Sequence, residues 1–266
     1  MKLVTYETGG ETRTGVLTDA GVVESGFATM SQLLRAGPPA QREGEPVPSG
    51  RLLAPVTDPQ KIICIGLNYL SHAREQGAEP PETPTLFAKY RNALAAPGST
   101  VVLPAYSSKV DYEAEVAFVI GKRAKDVAET DALDHVAGYM LLNDLSARDM
   151  QFATPQWMPG KIFDGAAPCG PWLVTPDEAG AHDAIEIRLT LNGEEMQKGS
   201  TSDLVHSIPA LVAYLSKLMT LEPGDIVSTG TPAGVGSLRE PRVWLAPGDE
   251  IVVESPTLGR LVTTLA

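Results

Sequence analysis

The sequence predicts a β-rich α+β protein, and three observations carry that prediction. Short apolar or alternating segments recur between Gly- and Pro-bearing turns, among them KIICIG (61–66), IEIRLTL (185–191), DIVSTG (225–230), EIVVES (250–255) and RLVTTL (260–265). Asn192-Gly193 directly follows one of them, and Asn-Gly is the strongest short-range hairpin signal. Helical periodicity is scarce, and its clearest case is residues 203–219, where Leu204, Ile208, Leu211, Val212 and Leu215 share a face.

Taken in order, residues 1–36 read as a small strand-rich unit, with KLVTYE, GVLT and GVVE separated by Gly-rich turns. MSQLLRAG (30–37) is a helical turn that stops at Gly37. Residues 38–50, PPAQREGEPVPSG, are too rich in Pro, Gly and charge to build a core and read as a linker. The expected division is therefore a small N-terminal domain with its linker over 1–50 and a larger domain over 51–266.

In the larger part, 61–69 begins as a buried strand, and SHAREQ (71–76) suits the first turn of a helix capped by Ser71 or Asn68. Residues 80–84 break it, and 85–98 carry Lys89 and Arg91 ahead of a turn. VDYEAEVAFVIG (110–121) is a strand, and 130–141 reads as a helix or a helix-to-strand passage that delivers NDLSARDMQ (143–151). Residues 154–171 are irregular and contain Lys161, and WLVT is the next strand.

The chain has 266 residues, 43% apolar and 20% charged, ordinary values for a globular protein. Its formal net charge of −12 argues against a nucleic-acid partner, whose phosphates call for basic surfaces. Cys64 and Cys169 show no metal-ligand spacing and read as buried free thiols of a reducing compartment. The first residues lack the apolar core of a signal peptide, and no apolar run nears the roughly 20 residues that span a bilayer. No membrane association and a cytoplasmic location are the expectations.

The candidate chemistry centres on residues 110–121. In an extended chain Glu113 and Glu115 point to one face, at the head of an apolar run. Two neighbouring carboxylates that lose water repel one another, so a cation is the simplest neutraliser. Asp144 ends a second apolar run, and an all-carboxylate set favours a hard ion. The same residues read about as well as a solvated acidic edge with Asp144 in a turn. His72 and Glu75, three apart, share a helix face, which suits a general base oriented by a carboxylate or simply an exposed pair at a helix start. Lys161 and Arg148 lie close in sequence to Asp144 and suit an anionic substrate or an enolate, or plain solvation. Gln151 is a candidate donor to an oxyanion. GTPAGVG (230–236) lacks the Gly-Lys-Ser/Thr ending of a phosphate loop, which leaves a tight turn or a contact from Thr231 to a ligand carboxylate.

In this order, GLNYLSH–AREQG (66–77), VDYEAEVAFVIGK (110–122), NDLSARDMQ (143–151), GKIFDGAAPCGPW (160–172) and STGTPAGVG (228–236) resemble the motifs of the fumarylacetoacetate hydrolase family. The resemblance implies a catalytic domain built on a rolled mixed β-sheet, a homodimer, and one divalent ion per subunit. Mg²⁺ is the expected ion, Mn²⁺ the alternative and Ca²⁺ a weaker third. It maps the metal ligands onto Glu113, Glu115 and Asp144, leaving Asp111 unassigned. It also maps a catalytic His–Glu pair onto His72 and Glu75, and the family's loop lysine onto Lys161. Arg148, Gln151 and Thr231 match substrate-contacting positions, and Lys89 is taken as a further substrate contact.

The expected reaction is hydrolysis of a carbon–carbon bond in a small β-diketo acid of the acylpyruvate type, as in aromatic degradation. His72 activates water, Gln151 steadies the oxyanion, and the metal and Lys161 face the resulting pyruvate enolate. The rival enzymatic readings are an oxaloacetate decarboxylase and an isomerase or dehydratase acting on a keto- or hydroxy-dioate. The non-enzymatic rival is a keto-acid binding protein, which has no use for a His–Glu pair.

Overall fold

The computed structural model describes residues 1–37, 45–48 and 50–266. The linker expected at 38–50 falls largely on positions outside the described residues.

Two sheets share one continuous apolar core. At the centre of the larger is the strand Ala114–Ile120, in which every side chain is buried. It pairs antiparallel with Val136–Asn143 on one side and with Ile226–Ser228 on the other. Ile226–Ser228 then runs parallel to Ile62–Gly66, so the sheet is mixed. Covered on both faces, these strands are near-continuous apolar runs rather than alternating ones. The smaller sheet contains Glu186–Leu191 and Glu194–Ser200, joined at Asn192 and Gly193. Both turn residues have positive φ, as the Asn-Gly turn requires. Gln197 ties this sheet to the larger one: its side-chain oxygen accepts from Ala114 N–H at 2.8 Å.

The first strands, Lys2–Thr8, Glu11–Thr18 and Gly21–Glu24, form an antiparallel meander with a small cluster of Val4, Tyr6 and Val22. They are not detached from the rest. Lys2 and Leu3 pair with Val174 and Leu173, so the meander extends the edge of the large sheet. Among the described residues no helix is long and apolar enough to cross a membrane.

Several local expectations are revised. The strand expected over 110–121 is split into Val110–Asp111 and Ala114–Ile120. At the break, side chains replace the ladder: Asp111 accepts from Tyr112 N–H at 2.9 Å and Asn143 from Glu113 N–H at 3.0 Å. The helix Leu70–Glu75 is capped by neither Ser71 nor Asn68. Instead Asp203, distant in sequence, accepts from Ser71 N–H at 2.9 Å. The helix expected over 203–219 begins only at Ile208, where Ser207 caps it and a proline occupies its first turn. The strand expected at WLVT runs instead over Ala167–Val174.

Phe118 lies on the central strand with no exposure. Phe118→Ala is expected to destabilise the protein by about 3–5 kcal/mol, seen as a lower urea midpoint at unchanged slope.

Candidate metal centre and active site

The antiparallel register builds the centre. Ala114, at the start of the central strand, pairs with Asn143, at the end of its neighbour. Glu113, Glu115 and Asp144 therefore converge at one end of the sheet, and Asp144 N–H donates to the Glu113 carbonyl at 2.9 Å. All three carboxylates are buried, and one ligand oxygen from each lies within 4.8 Å of the others. Oxygens bound to one divalent ion at about 2.0–2.6 Å lie at most about 4–5 Å apart, so the cluster has the right size.

Charge makes the same case. Four buried carboxylates, Asp111, Glu113, Glu115 and Asp144, meet three buried cations, Lys89, Arg148 and Lys161. Lys161 Nζ bridges Glu113 (2.5 Å) and Asp144 (2.8 Å). Arg148 bridges Asp111 and Glu113, each at 2.8 Å, and Lys89 Nζ lies 2.7 Å from Asp144 Oδ1. Glu115 alone has no cation against it; the Ser228 hydroxyl and Gly230 N–H donate to it at 2.5 and 3.0 Å. Burial, together with the charges of Asp144 and Glu113, pushes Glu115 up to about 8. Burial acts on Glu113 as well, but Arg148 and Lys161 outweigh it and hold that carboxyl far below the usual range. One carboxylate thus waits for a positive charge. A divalent ion supplies it, turns the surplus of one negative charge into one positive, and so suits an anionic substrate.

The helix Leu70–Glu75 follows the strand Ile62–Gly66 and carries His72 to the same cleft. His72 Nδ1 lies 3.1 Å from Glu75 Oε2, and the other Glu75 oxygen accepts from Gly234 N–H at 2.9 Å. With Nδ1–H donating to the carboxylate, Nε2 carries the free electron pair. Gln76 meets that nitrogen at 2.8 Å through its amide N–H. The residue was missed as a site candidate, although it follows the His–Glu pair at the helical spacing of four from His72.

Lys161, Arg148, Gln151 and Thr231 line the cleft with His72, Glu113 and Glu115. Arg148 is more committed than a simple substrate clamp. It binds Asp111 and Glu113 and donates to the Gln151 side-chain oxygen Oε1 at 2.9 Å. This contact turns the Gln151 amide N–H groups free of Arg148. Asp111, left unassigned from sequence, anchors Arg148 and also accepts from Gly236 and Ser237 N–H at 2.8 and 3.0 Å. The Thr231 hydroxyl donates to the Ala114 carbonyl and accepts from Gln197, so its proton is already in use.

Lys89 requires a correction. It is fully buried behind Asp144 and is absent from the cleft wall. Its ammonium donates to the carbonyls of Lys161 (2.5 Å) and Ala166 (2.9 Å), so it braces Asp144 and the Lys161 loop and does not face substrate. Phe87 and Trp157 form the apolar side of the cleft, ring centres 5.9 Å apart, and Lys161 Nζ stands 4.9 Å from the Phe87 ring.

The fold and site thus define a carboxylate-based divalent-metal enzyme for small acids. Residues 61–266 match the model of the fumarylacetoacetate (FAA) hydrolase C-terminal family, and the chain belongs to that family. It is 43% identical over 242 residues to the bovine mitochondrial oxaloacetate tautomerase FAHD2A, covering 90% of this chain and 77% of that one. The fumarylacetoacetate hydrolase of Exiguobacterium antarcticum superposes with TM-score 0.90 at 32% identity, covering 100% of this chain and 99% of that one. Fumarylpyruvate hydrolase from Pseudomonas aeruginosa, in complex with Mn²⁺ and pyruvate, superposes with TM-score 0.72 at 32% identity, covering 82% and 92%.

Two outcomes test the centre. Because the ion displaces the Glu115 proton, Mg²⁺ or Mn²⁺ affinity in titration calorimetry is expected to rise about tenfold per pH unit and level off above pH 8, and Glu115→Gln removes that dependence. Lys89→Met leaves a buried carboxylate oxygen unpaired and is expected to cost roughly 3–5 kcal/mol in denaturant unfolding, whereas a substrate contact would alter KM and spare stability.

Proposed function

We propose that this chain interconverts the enol and keto forms of a small 2-oxo dicarboxylate of the oxaloacetate type. One observation carries the reading: a carboxylate-oriented imidazole and a buried ammonium open on the same small cleft, beside the carboxylate cluster. Tautomerisation needs those parts and no second substrate. The mitochondrial oxaloacetate tautomerase at 43% identity supports it.

A divalent ion on Glu113, Glu115 and Asp144 supplies Lewis acidity toward the oxygens of a 2-oxo acid. The rest falls to the side chains. Burial opposes charge on Lys161, but Asp144 and Glu113 overcome it and raise its pKa. Lys161 therefore stays an ammonium and holds negative charge on the enolate oxygen without surrendering its proton. His72 Nε2, oriented by Glu75, takes the enol proton and returns it to the adjacent carbon. Gln76 must swing off Nε2 as substrate arrives. Arg148 has N–H groups beyond its three bonded partners with which to meet a carboxylate.

Hydrolysis of a carbon–carbon bond is the second reading, and Gln151 favours it. Its amide N–H groups, left free while Arg148 binds its side-chain oxygen, suit the tetrahedral oxyanion of hydrolysis, which tautomerisation does not pass through. Ketonisation of enol-oxaloacetate and cleavage of acylpyruvates, followed on one Mg²⁺-supplied preparation, separate the two. Ketonisation is expected to dominate and to fall about 10²–10⁴-fold in His72→Ala. Acylpyruvate cleavage without ketonisation would install the hydrolase instead.

A further inference from the structure

Gly66 ends the strand Ile62–Gly66 at the wall of the cleft. Its backbone is not in the left-handed region, so conformation alone does not call for glycine. Space does. A Cβ built there would fall 2.3 Å from Trp157 Cζ3, 2.9 Å from Cη2 and 3.4 Å from Cε3. The three nearest atoms all belong to that one indole, which lies directly on the bare Cα. Its ring also meets Phe87 edge-on.

The chain leading to Trp157 runs along the surface. Residues 152–156 are exposed, whereas Trp157 itself is half-buried. The segment is pinned again at Gly160, where a Cβ would stand 2.4 Å from the Ala147 carbonyl oxygen. The indole is thus the inward-facing part of an exposed loop, held by a glycine on a different element. It is also close to the chemistry. Lys161, bound to Glu113 and Asp144, stands against one face of the contact chain, Phe87 is next, and Trp157 follows. This apolar wall and the carboxylates Glu113 and Glu115 border the same cleft.

We propose that Trp157, seated on Gly66, is a specificity-determining residue that sets how long a tail the cleft accepts. The inference rests on the reading of the site as one for 2-oxo acids and adds which of them fit. Trp157 closes the tail end, and Gly66 acts only by giving the indole its place. The class admitted is a 2-oxo acid with a short tail, and longer homologues are refused on steric grounds.

The test is a double-mutant cycle on the Mg²⁺-supplied protein: wild type, Gly66→Ala, Trp157→Ala and the double variant. Calorimetry measures binding of oxalate and of 2-oxobutanoate, 2-oxopentanoate, 2-oxohexanoate and 2-oxooctanoate. In wild type, affinity is expected to fall along the series. In Trp157→Ala it is expected to rise instead, by about fourfold for each methylene that the opened wall lets in. Gly66→Ala, by pushing the indole off its seat, is expected to change the length profile in the same direction. In the Trp157→Ala background it adds nothing, because the atoms it clashes with are gone. Oxalate has no tail and is expected to bind all four alike.

A length profile that is the same in wild type and Trp157→Ala overturns the inference. So does a Gly66→Ala effect that persists without the indole. Wild type that binds the series but not oxalate argues against the proposed engagement of 2-oxo acids at the carboxylate end, whereas the length profile alone decides the role of Trp157. Acrylamide quenching provides a readout with no ligand present. Gly66→Ala is expected to raise quenching in wild type and not in the Trp157→Phe background, and unchanged quenching overturns the seat on which the inference stands.

Discussion

The structure depends on a charge imbalance buried at one end of a sheet. Four carboxylates and three cations lie together out of water, and Glu115 is the carboxylate with no cation of its own. Buried charge is tolerated only when paired and hydrogen-bonded. Much of the local architecture reads as a response to that demand. Asp111 holds Arg148, Arg148 holds Glu113 and Gln151, and Lys89 braces Asp144 while gathering the carbonyls of the Lys161 loop. The remaining negative charge is what a hard divalent ion neutralises.

Rigid placement comes from strand pairing. Glu113 and Asp144 are far apart in sequence, yet they adjoin because one strand begins where its antiparallel partner ends. Ser228, at the end of the next strand over, and Gly230 just beyond it supply the neutral donors to Glu115. Gln197 reaches in from the second sheet to hold Ala114 and Thr231. Carboxylates on a paired strand or at its ends, as Glu115, Glu113 and Asp144 are, move less than carboxylates carried on free loops, which preorganises the site for charge that develops during reaction. The His–Glu pair sits instead on the short helix after Gly66, and Trp157 on a loop.

Much of the centre was legible in the chain. The E-x-E spacing put two carboxylates on one face, YMLLND supplied a third, and H-x-x-E put an imidazole and a carboxylate on one helical turn. Periodicities of two and of 3.6 residues are local properties, and they identified most strands and the main helix. Ends were less legible. The helix at Leu70–Glu75 is capped by Asp203, and the break after Asp111 is held open by Asn143, partners far away in sequence.

The sequence by itself determined the β-rich class, through local alternation, and the family, through five motifs in order, and that resemblance singled out the three carboxylates and the His–Glu pair. Only the tertiary structure decided what each cation does. Lys89, Lys161 and Arg148 are alike in sequence as basic residues, yet one is sealed behind Asp144, one bridges two carboxylates at the cleft, and one is locked to Asp111 and Gln151. Likewise nothing near Gly66 in the chain announces the indole of Trp157 lying upon it. A charge or a missing side chain acquires its role from whatever stands within a few ångströms, and the folding of distant segments onto one another alone settles that.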